Sequence, residues 1–306
     1  MLFPTVAIIG RYNDAGIAQP LLAIARMLEE AGRTVLFEAE TAVNTGVSGY
    51  PAVTASELGS RASLGIVMGG DGTMLGAARR LAPYDVPLVG INNGRVGFIT
   101  DIQLHHAVNV IREILDGRYE VEERLLLTGT VRRGSDVLFS APALNDVVLS
   151  RAGRGGMIEM HIEVNGDTMA TMRADGLVIA TPTGSTAYAL SANGPILHPA
   201  LGGMVLVPVA PQTLSNRPIV LPDSCVINVT LTSTGRVEAG ASAHFDMQTW
   251  SQLAEGDQIQ VQRASHSIRF LHPIGYSYYA TLRQKLNWNR MPSRGDTEEG
   301  LNQIAG

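Results

Sequence analysis

Short apolar runs alternate with helix-spaced apolar positions through the first third of the chain. Thr5–Ile9 is a β-branched run, and Ile17–Ala31 then sets Ile17, Leu21, Leu22, Ile24, Ala25 and Leu28 on one helix face. Gly32 stops that helix at a C′ position. Thr34–Phe37, Leu64–Met68 and Pro87–Ile91 are further short runs of buried-strand type. His105–Leu115 predicts an amphipathic helix through Val108, Ile111, Ile114 and Leu115, closed by Gly117. Strands alternating with helices predict a parallel sheet with helices on its faces, and such sheets bind ligands at the carboxyl ends of their strands.

From about Tyr119 the pattern changes to many short strands. Leu125–Val131, Val137–Ala143 and Met157–Val164 are β-rich, and Asn165-Gly166 is the strongest hairpin signal in the chain. Leu177–Ala180, Met204–Val207, Cys225–Leu231, Gln258–Val261 and Ser267–Leu271 continue the series, and Tyr278–Leu286 predicts a short helix. The expected fold is an α/β N-terminal domain with a parallel, Rossmann-like sheet, followed by an all-β, sandwich-like C-terminal domain. Residues 1–118 and 119–272 are the expected units, 273–290 a C-terminal segment returning to the first of them, and 291–306 a disordered tail.

Composition narrows the chemistry. The chain has 306 residues and a formal net charge of −5, so no basic face is expected for nucleic acid. The single cysteine, Cys225, excludes a disulfide framework and a Cys-based zinc site. No apolar run of membrane-spanning length and no basic leader at Met1-Leu2-Phe3 is present, so a cytoplasmic protein is expected. Lys285 is the only lysine, far from any glycine-rich stretch. A P-loop and a protein kinase each need a lysine beside the phosphates, so neither architecture fits.

Directly after Leu64–Met68 comes Gly69-Gly70-Asp71-Gly72-Thr73. Glycines at a strand end, leading into a helix from about Met74 to Leu81, can bring backbone N–H groups and a positive helix end to phosphate. Asp71 is the unusual member, because a carboxylate repels phosphate. It fits a site where it holds a metal ion, accepts a proton from an attacking hydroxyl, or both. The loop therefore points to phosphoryl transfer.

Three other segments carry candidate chemistry. Asn92–Phe98 follows a strand at the same sheet end and could line a nucleotide, with Arg95 toward phosphate, or simply form a strand-to-helix turn. Asn145-Asp146 suits vicinal ribose hydroxyls, although alone it reads more readily as an Asx turn opening a strand. Arg173-Ala174-Asp175-Gly176 and Thr181–Tyr188 gather Arg, Asp, hydroxyls and a ring, and Thr183–Thr186 predicts a helix start able to receive an anion. The histidines show no metal-binding spacing, and no Gly-x-Ser-x-Gly elbow or Gly-x-Gly-x-x-Gly fingerprint is present.

Taken together, Gly69–Thr73, Asn92–Phe98, Asn145-Asp146, Asp175–Ser191, Thr213–Ile219 and the closing Tyr276–Arg283 resemble the NAD kinase family, in the family's order and over about Val6 to Trp288. The resemblance implies ATP and NAD as substrates and NAD lying between the two domains of a homodimer or homotetramer. It implies that Asp71 accepts the proton, with Gly72 beside it, and that Gly69, Gly70 and Thr73 complete the phosphate loop. Asn145 and Asp146 correspond to ribose-binding positions, and Arg173 and Asp175 to the nicotinamide half. Thr186, Ala187, Tyr188, Ala189, Leu190 and Ser191 correspond to the adenine and ribose stretch, and Ala210 and Gln248 to further contacts. An Arg at position 173 is associated in the family with preference for NAD over NADH.

Departures from the family pattern are Asp146 in place of Glu, Gly155-Gly156 where some members carry a basic side chain, and Asp246-Met247-Gln248 without its middle glycine. A divalent ion, Mg²⁺, is expected to bridge the phosphates, since no lysine is available there; no metal ligand can be named from the sequence. The competing readings are a kinase for a lipid or sugar hydroxyl and a non-catalytic pyridine-nucleotide sensor. The ribose-type pair argues against the first and the carboxylate in the loop against the second.

Overall fold

A computed structural model describes residues 1–10, 15–94, 97–153, 156–235 and 240–287. Its first third holds six parallel strands: β1 (Thr5–Gly10), β2 (Thr34–Glu38), β3 (Ala52–Val53), β4 (Leu64–Met68), β5 (Leu88–Asn92) and β6 (Ile102–Gln103). Between them run helices α1 (Ala18–Glu30), α2 (Ala39–Thr45), α3 (Ala55–Arg61), α4 (Asp71–Leu81) and, after β6, α5 (Ala107–Leu115). The central strands β1, β4 and β5 are buried on both faces, as a parallel sheet covered by helices requires. Val6 and Ile8 of β1 face a core shared with Leu21, Ile24 and Leu28 of α1 and Ile111 of α5. Ala7 and Ile9 face the opposite core, shared with Met74, Ala77 and Leu81 of α4.

The remaining strands pair antiparallel with one another: β7 (Glu120–Arg133), β8 (Asp136–Ala143), β9 (Asp146–Arg151), β10 (Ile158–Val164), β11 (Asp167–Ala174), β12 (Gly176–Ala180), β13 (Gly203–Val209), β14 (Ile219–Pro222), β15 (Ile227–Ser233), β16 (Ala241–Phe245), β17 (Thr249–Leu253) and β18 (Gln258–His272). A six-stranded sheet has the order β14-β13-β12-β9-β16-β17. It packs face to face on β7, β10, β15 and β18, so Val147, Leu149, Leu177, Ile179 and Leu206 meet Leu127, Val131, Ile162, Val229 and Val261 in one apolar layer. Its outer face, through Val148, Val178 and Val207, is covered by Ala189 and Leu197 around helix α6 (Tyr188–Ser191). Helix α7 (Tyr278–Leu286) closes the described chain. The β10–β11 hairpin turns on Asn165 and Gly166, both at positive φ, as the Asn-Gly signal predicts.

One strand joins the two parts. β18 pairs antiparallel with β7 from Gln258 to His272 and with β15 over Gln258–Val261, and it runs parallel to β5 at Phe270 and Leu88. The parallel sheet and half of the sandwich thus form one twelve-stranded sheet. The sequence reading divides β18 into Gln258–Val261 and Ser267–Leu271. Its apolar alternation is broken between Arg263 and Ser267, where a β-bulge shifts the register but leaves the strand continuous.

Candidate active site

The Gly69–Thr73 loop lies at the carboxyl end of β4. The helix begins at Asp71 rather than at Met74, with Gly70 as its N-cap, so Asp71 itself sits at the positive helix end. None of the loop glycines has positive φ. Their value is steric instead: a Cβ on Gly70 would meet nothing within 4 Å among the described residues, leaving the backbone open to a ligand. The half-buried Asp71 carboxylate accepts from Phe98 N–H at 2.8 Å, Ile99 N–H at 3.2 Å and the Thr100 hydroxyl at 3.1 Å. Thr100 in turn accepts from Asn92 Nδ2 at 3.0 Å. A Cβ on Gly97 would overlap the Asp71 carboxylate, so the turn at Gly97 sets the approach. Asn92 and residues 97–100 are therefore brought to Asp71, at the sheet end expected for Asn92–Phe98, with the Phe98 N–H spent on the carboxylate, while Arg95 lies outside the described residues.

Asp71's neighbour Gly72 accepts from Gln248 Nε2 at 2.7 Å. Gln248 Oε1 accepts from Arg79 Nη2 at 2.6 Å, and Arg79, on α4, also donates to the Phe245 carbonyl and pairs with Asp246 at 3.5 Å. Asp246 sits in the three-residue turn between β16 and β17, where both it and Met247 have positive φ despite the missing glycine. Its carboxylate accepts three successive amides, from Leu144, Asn145 and Asp146, at 3.0, 2.7 and 3.1 Å. Asp246 and Arg79 thus fasten the Asn145-Asp146 pair to the helix that carries Asp71. Sequence reasoning missed both residues as organisers, because their partners lie far away in the chain.

Asp146 is almost wholly buried, and its Oδ1 has no hydrogen-bond partner among the described residues. Burial, with the nearby Asp246 carboxylate adding to it, pushes Asp146 up to about 7. Burial raises Asp246 as well, outweighing the three N–H donors and Arg79 that pull the other way.

The stretch around Thr181–Ser191 packs on the same pair. Thr181 N–H donates to the Asn145 carbonyl at 2.8 Å and its hydroxyl to the Leu144 carbonyl. A Cβ on Gly184 would overlap the Asn145 backbone, so only glycine fits this contact. The continuous helix expected from Thr183 does not form: a 3-10 turn spans Gly184–Thr186, Ala187 breaks it, and α6 is four residues long. The amides expected to receive an anion are already used, Gly184 N–H by the Thr181 hydroxyl and Ser185 N–H by the Thr181 carbonyl. Thr186, Ala187, Tyr188 and Leu190 are half-buried, Ala189 is buried and Ser191 exposed.

Arg173 and Asp175 follow one another on β11 and beyond but do not pair. Asp175 is held by Arg151, Nε to Oδ1 at 2.7 Å, whereas exposed Arg173 lies 3.9 Å from Glu159. Ala210, at positive φ, is placed beside them by the bonds Asp175 N–H to Val209 O and Gln212 N–H to Arg173 O. Arg151 is a neighbour that the sequence did not single out. Among the described residues, no group of three or more His, Cys, Asp or Glu is arranged to hold a metal ion, and no helix is long and apolar enough to cross a membrane.

An α/β sheet with a glycine-flanked carboxylate at a strand end, joined to a β-sandwich that carries polar loops to the same place, defines a two-part nucleotide-binding protein. Comparisons specify it further. Residues 6–119 match the family model of the ATP-NAD kinase N-terminal domain and residues 144–273 that of the C-terminal domain. An NAD kinase of Bordetella parapertussis is 65% identical over 98% of this chain and all of its own length. One of Paraburkholderia phytofirmans is 52% identical over 95% of this chain and 96% of its own. A yeast NADH kinase solved with NADH superposes with a TM-score of 0.86 at 22% identity, covering 96% of this chain and 90% of that one, and so shares the fold. The chain belongs to the NAD kinase family, and it is an ATP-dependent enzyme that phosphorylates NAD to NADP.

Proposed function

We propose that Asp71 takes the proton from the 2′-hydroxyl of the adenosine ribose of NAD as that oxygen attacks the γ-phosphorus of ATP. The bond to the bridging oxygen of ADP breaks as the new P–O bond forms. The observation that carries this reading is the Asp71 carboxylate, fixed by Phe98, Ile99 and Thr100 yet only half-buried. A carboxylate has about four lone-pair sites, so three protein donors leave one for a sugar hydroxyl. Such transfer depends on positioning and charge stabilisation rather than on a covalent intermediate.

Asn145 and Asp146 hold ribose hydroxyls in this reading, and Oδ1 of the buried Asp146 has no partner among the described residues. Gly69, Gly70, Gly72 and Thr73 line the phosphates. Arg173, Asp175 and Ala210 lie toward the nicotinamide half, and Thr186–Ser191 toward adenine and its ribose. Gln248 acts through Gly72, to which it is bonded, and NAD lies between units 1–118 and 119–272. A divalent cation, Mg²⁺, accompanies ATP and neutralises its phosphate charge, the usual binding mode for an ion that keeps its waters and phosphate ligands.

We also propose a cytoplasmic homo-oligomer, dimer or tetramer, in which a neighbouring subunit completes the NAD site. Edge strand β14, with Ile219 and Val220 exposed, supports this reading. The test is to incubate the purified protein with ATP, Mg²⁺ and NAD and to assign the product by phosphorus NMR. Phosphate on the 2′-oxygen is expected; phosphate on another hydroxyl would overturn the placement of the ribose.

A further inference from the structure

A chain of buried charges runs behind the site. His272, at the end of β18, is 1% exposed and places both ring nitrogens on carboxylates. Nδ1 lies 3.0 Å from Asp101 Oδ2 and Nε2 lies 3.2 Å from Glu122 Oε2. Neutral imidazole has one N–H donor, so two ionised acceptors are satisfied only by imidazolium. Glu122, on β7, also accepts from Arg124 Nη2 at 2.6 Å, and Arg124 Nη1 donates to the Thr183 hydroxyl at 2.9 Å. Asp101, at the other end, directly follows Thr100, which holds the Asp71 carboxylate. Tyr276 stacks flat on the imidazole, with centroids 3.8 Å apart and planes within 8°.

We propose that His272, as a doubly bonded imidazolium, is a positioning residue for phosphoryl transfer that locks the 97–101 turn behind Asp71 to the Thr183 loop. The proposal rests on Asp71 being the proton acceptor. Loss of the charge frees Asp101, and with it the Thr100 contact that orients the Asp71 carboxylate. The groups facing His272 are Asp101 from the turn before β6, Glu122 and, behind it, Arg124 from β7, and Tyr276 from the segment after β18.

Their balance gives the direction. Burial disfavours the charged ring, but the two carboxylates outweigh it and hold His272 above its ordinary value. Burial likewise works against the charge of Glu122, and His272 and Arg124 together hold it below its ordinary value. The clamp is therefore complete below the ordinary histidine value and is lost as pH rises through the raised one. Turnover should fall on that alkaline side.

The test pairs a variant with a direct reading of the ring. In wild type, nitrogen NMR of labelled histidine at pH 7 should show both ring nitrogens of His272 protonated. His272→Gln should lower kcat by about tenfold or more, leave the KM for ATP near the wild-type value and abolish the alkaline fall. A neutral ring at pH 7, or a His272→Gln enzyme with wild-type kcat and pH profile, would overturn the proposal. Should that variant fail to fold, the wild-type spectrum decides alone. Asp71→Asn must keep the imidazolium signal, so an error about Asp71 and an error about His272 leave different records.

Discussion

Asp146 shows how a single carboxyl reports on its surroundings. Because burial and Asp246 push it up to about 7, it is largely protonated in mildly acidic solution and ionised above neutrality. Only the ionised form presents both oxygens as acceptors to two ribose hydroxyls. The KM for NAD should therefore fall as pH rises from 6 to 8. In Asp146→Asn it should be high and flat across that range, as steady-state kinetics would show; a wild-type KM independent of pH would count against the ribose role. The pair Asn145-Asp146 was legible in the sequence, as was Asp71 among its glycines, because each motif is contiguous. Asp246 was not, because its meaning comes from three amides about a hundred residues away.

Among the elements, α4 carries Asp71 at its start and is tied to the β16–β17 turn by Arg79. The Arg79 side chain is 12% exposed and the Asp246 side chain 0%. Removing the cation leaves a buried carboxylate without it, so Arg79→Ala should cost about 3 kcal/mol in urea unfolding. The same change should raise the KM for NAD, because Asp246 holds the Asn145-Asp146 backbone. Unchanged stability would mean that the pair is solvated in solution. The long amphipathic helices α1 and α5 and the Asn-Gly hairpin could be read from periodicity and turn chemistry. Helix α3 was missed although Thr54 and Glu57 form a capping box, with Thr54 N–H to Glu57 Oε2 at 2.8 Å, a spacing visible in the sequence. The Thr183 helix was over-read, because hydroxyls that suit an N-cap here bond within their own turn and to the neighbouring loop.

At the scale of the whole molecule, β18 makes the two parts share one sheet. Ile268 and Phe270 from β18 and Leu126 and Leu144 from the sandwich side fill the same core as Ala7, Val67 and Leu88. Such an arrangement predicts one cooperative transition: far-UV circular dichroism and loss of NADP formation should coincide in urea. Two separated transitions would show that residues 1–118 fold independently of β18. The classes of both parts were legible from strand and helix order. Their fusion was not, because one parallel contact between Phe270 and Leu88 joins residues far apart in the chain and leaves no local pattern.

The central claim is that Asp71 removes the proton from the attacking hydroxyl, and Asp71→Asn tests it most directly. Single-turnover NADP formation should fall about a hundredfold or more, while NAD binding, measured by calorimetry on the same protein, stays within a few-fold of wild type. Near-normal turnover in that variant would contradict the account.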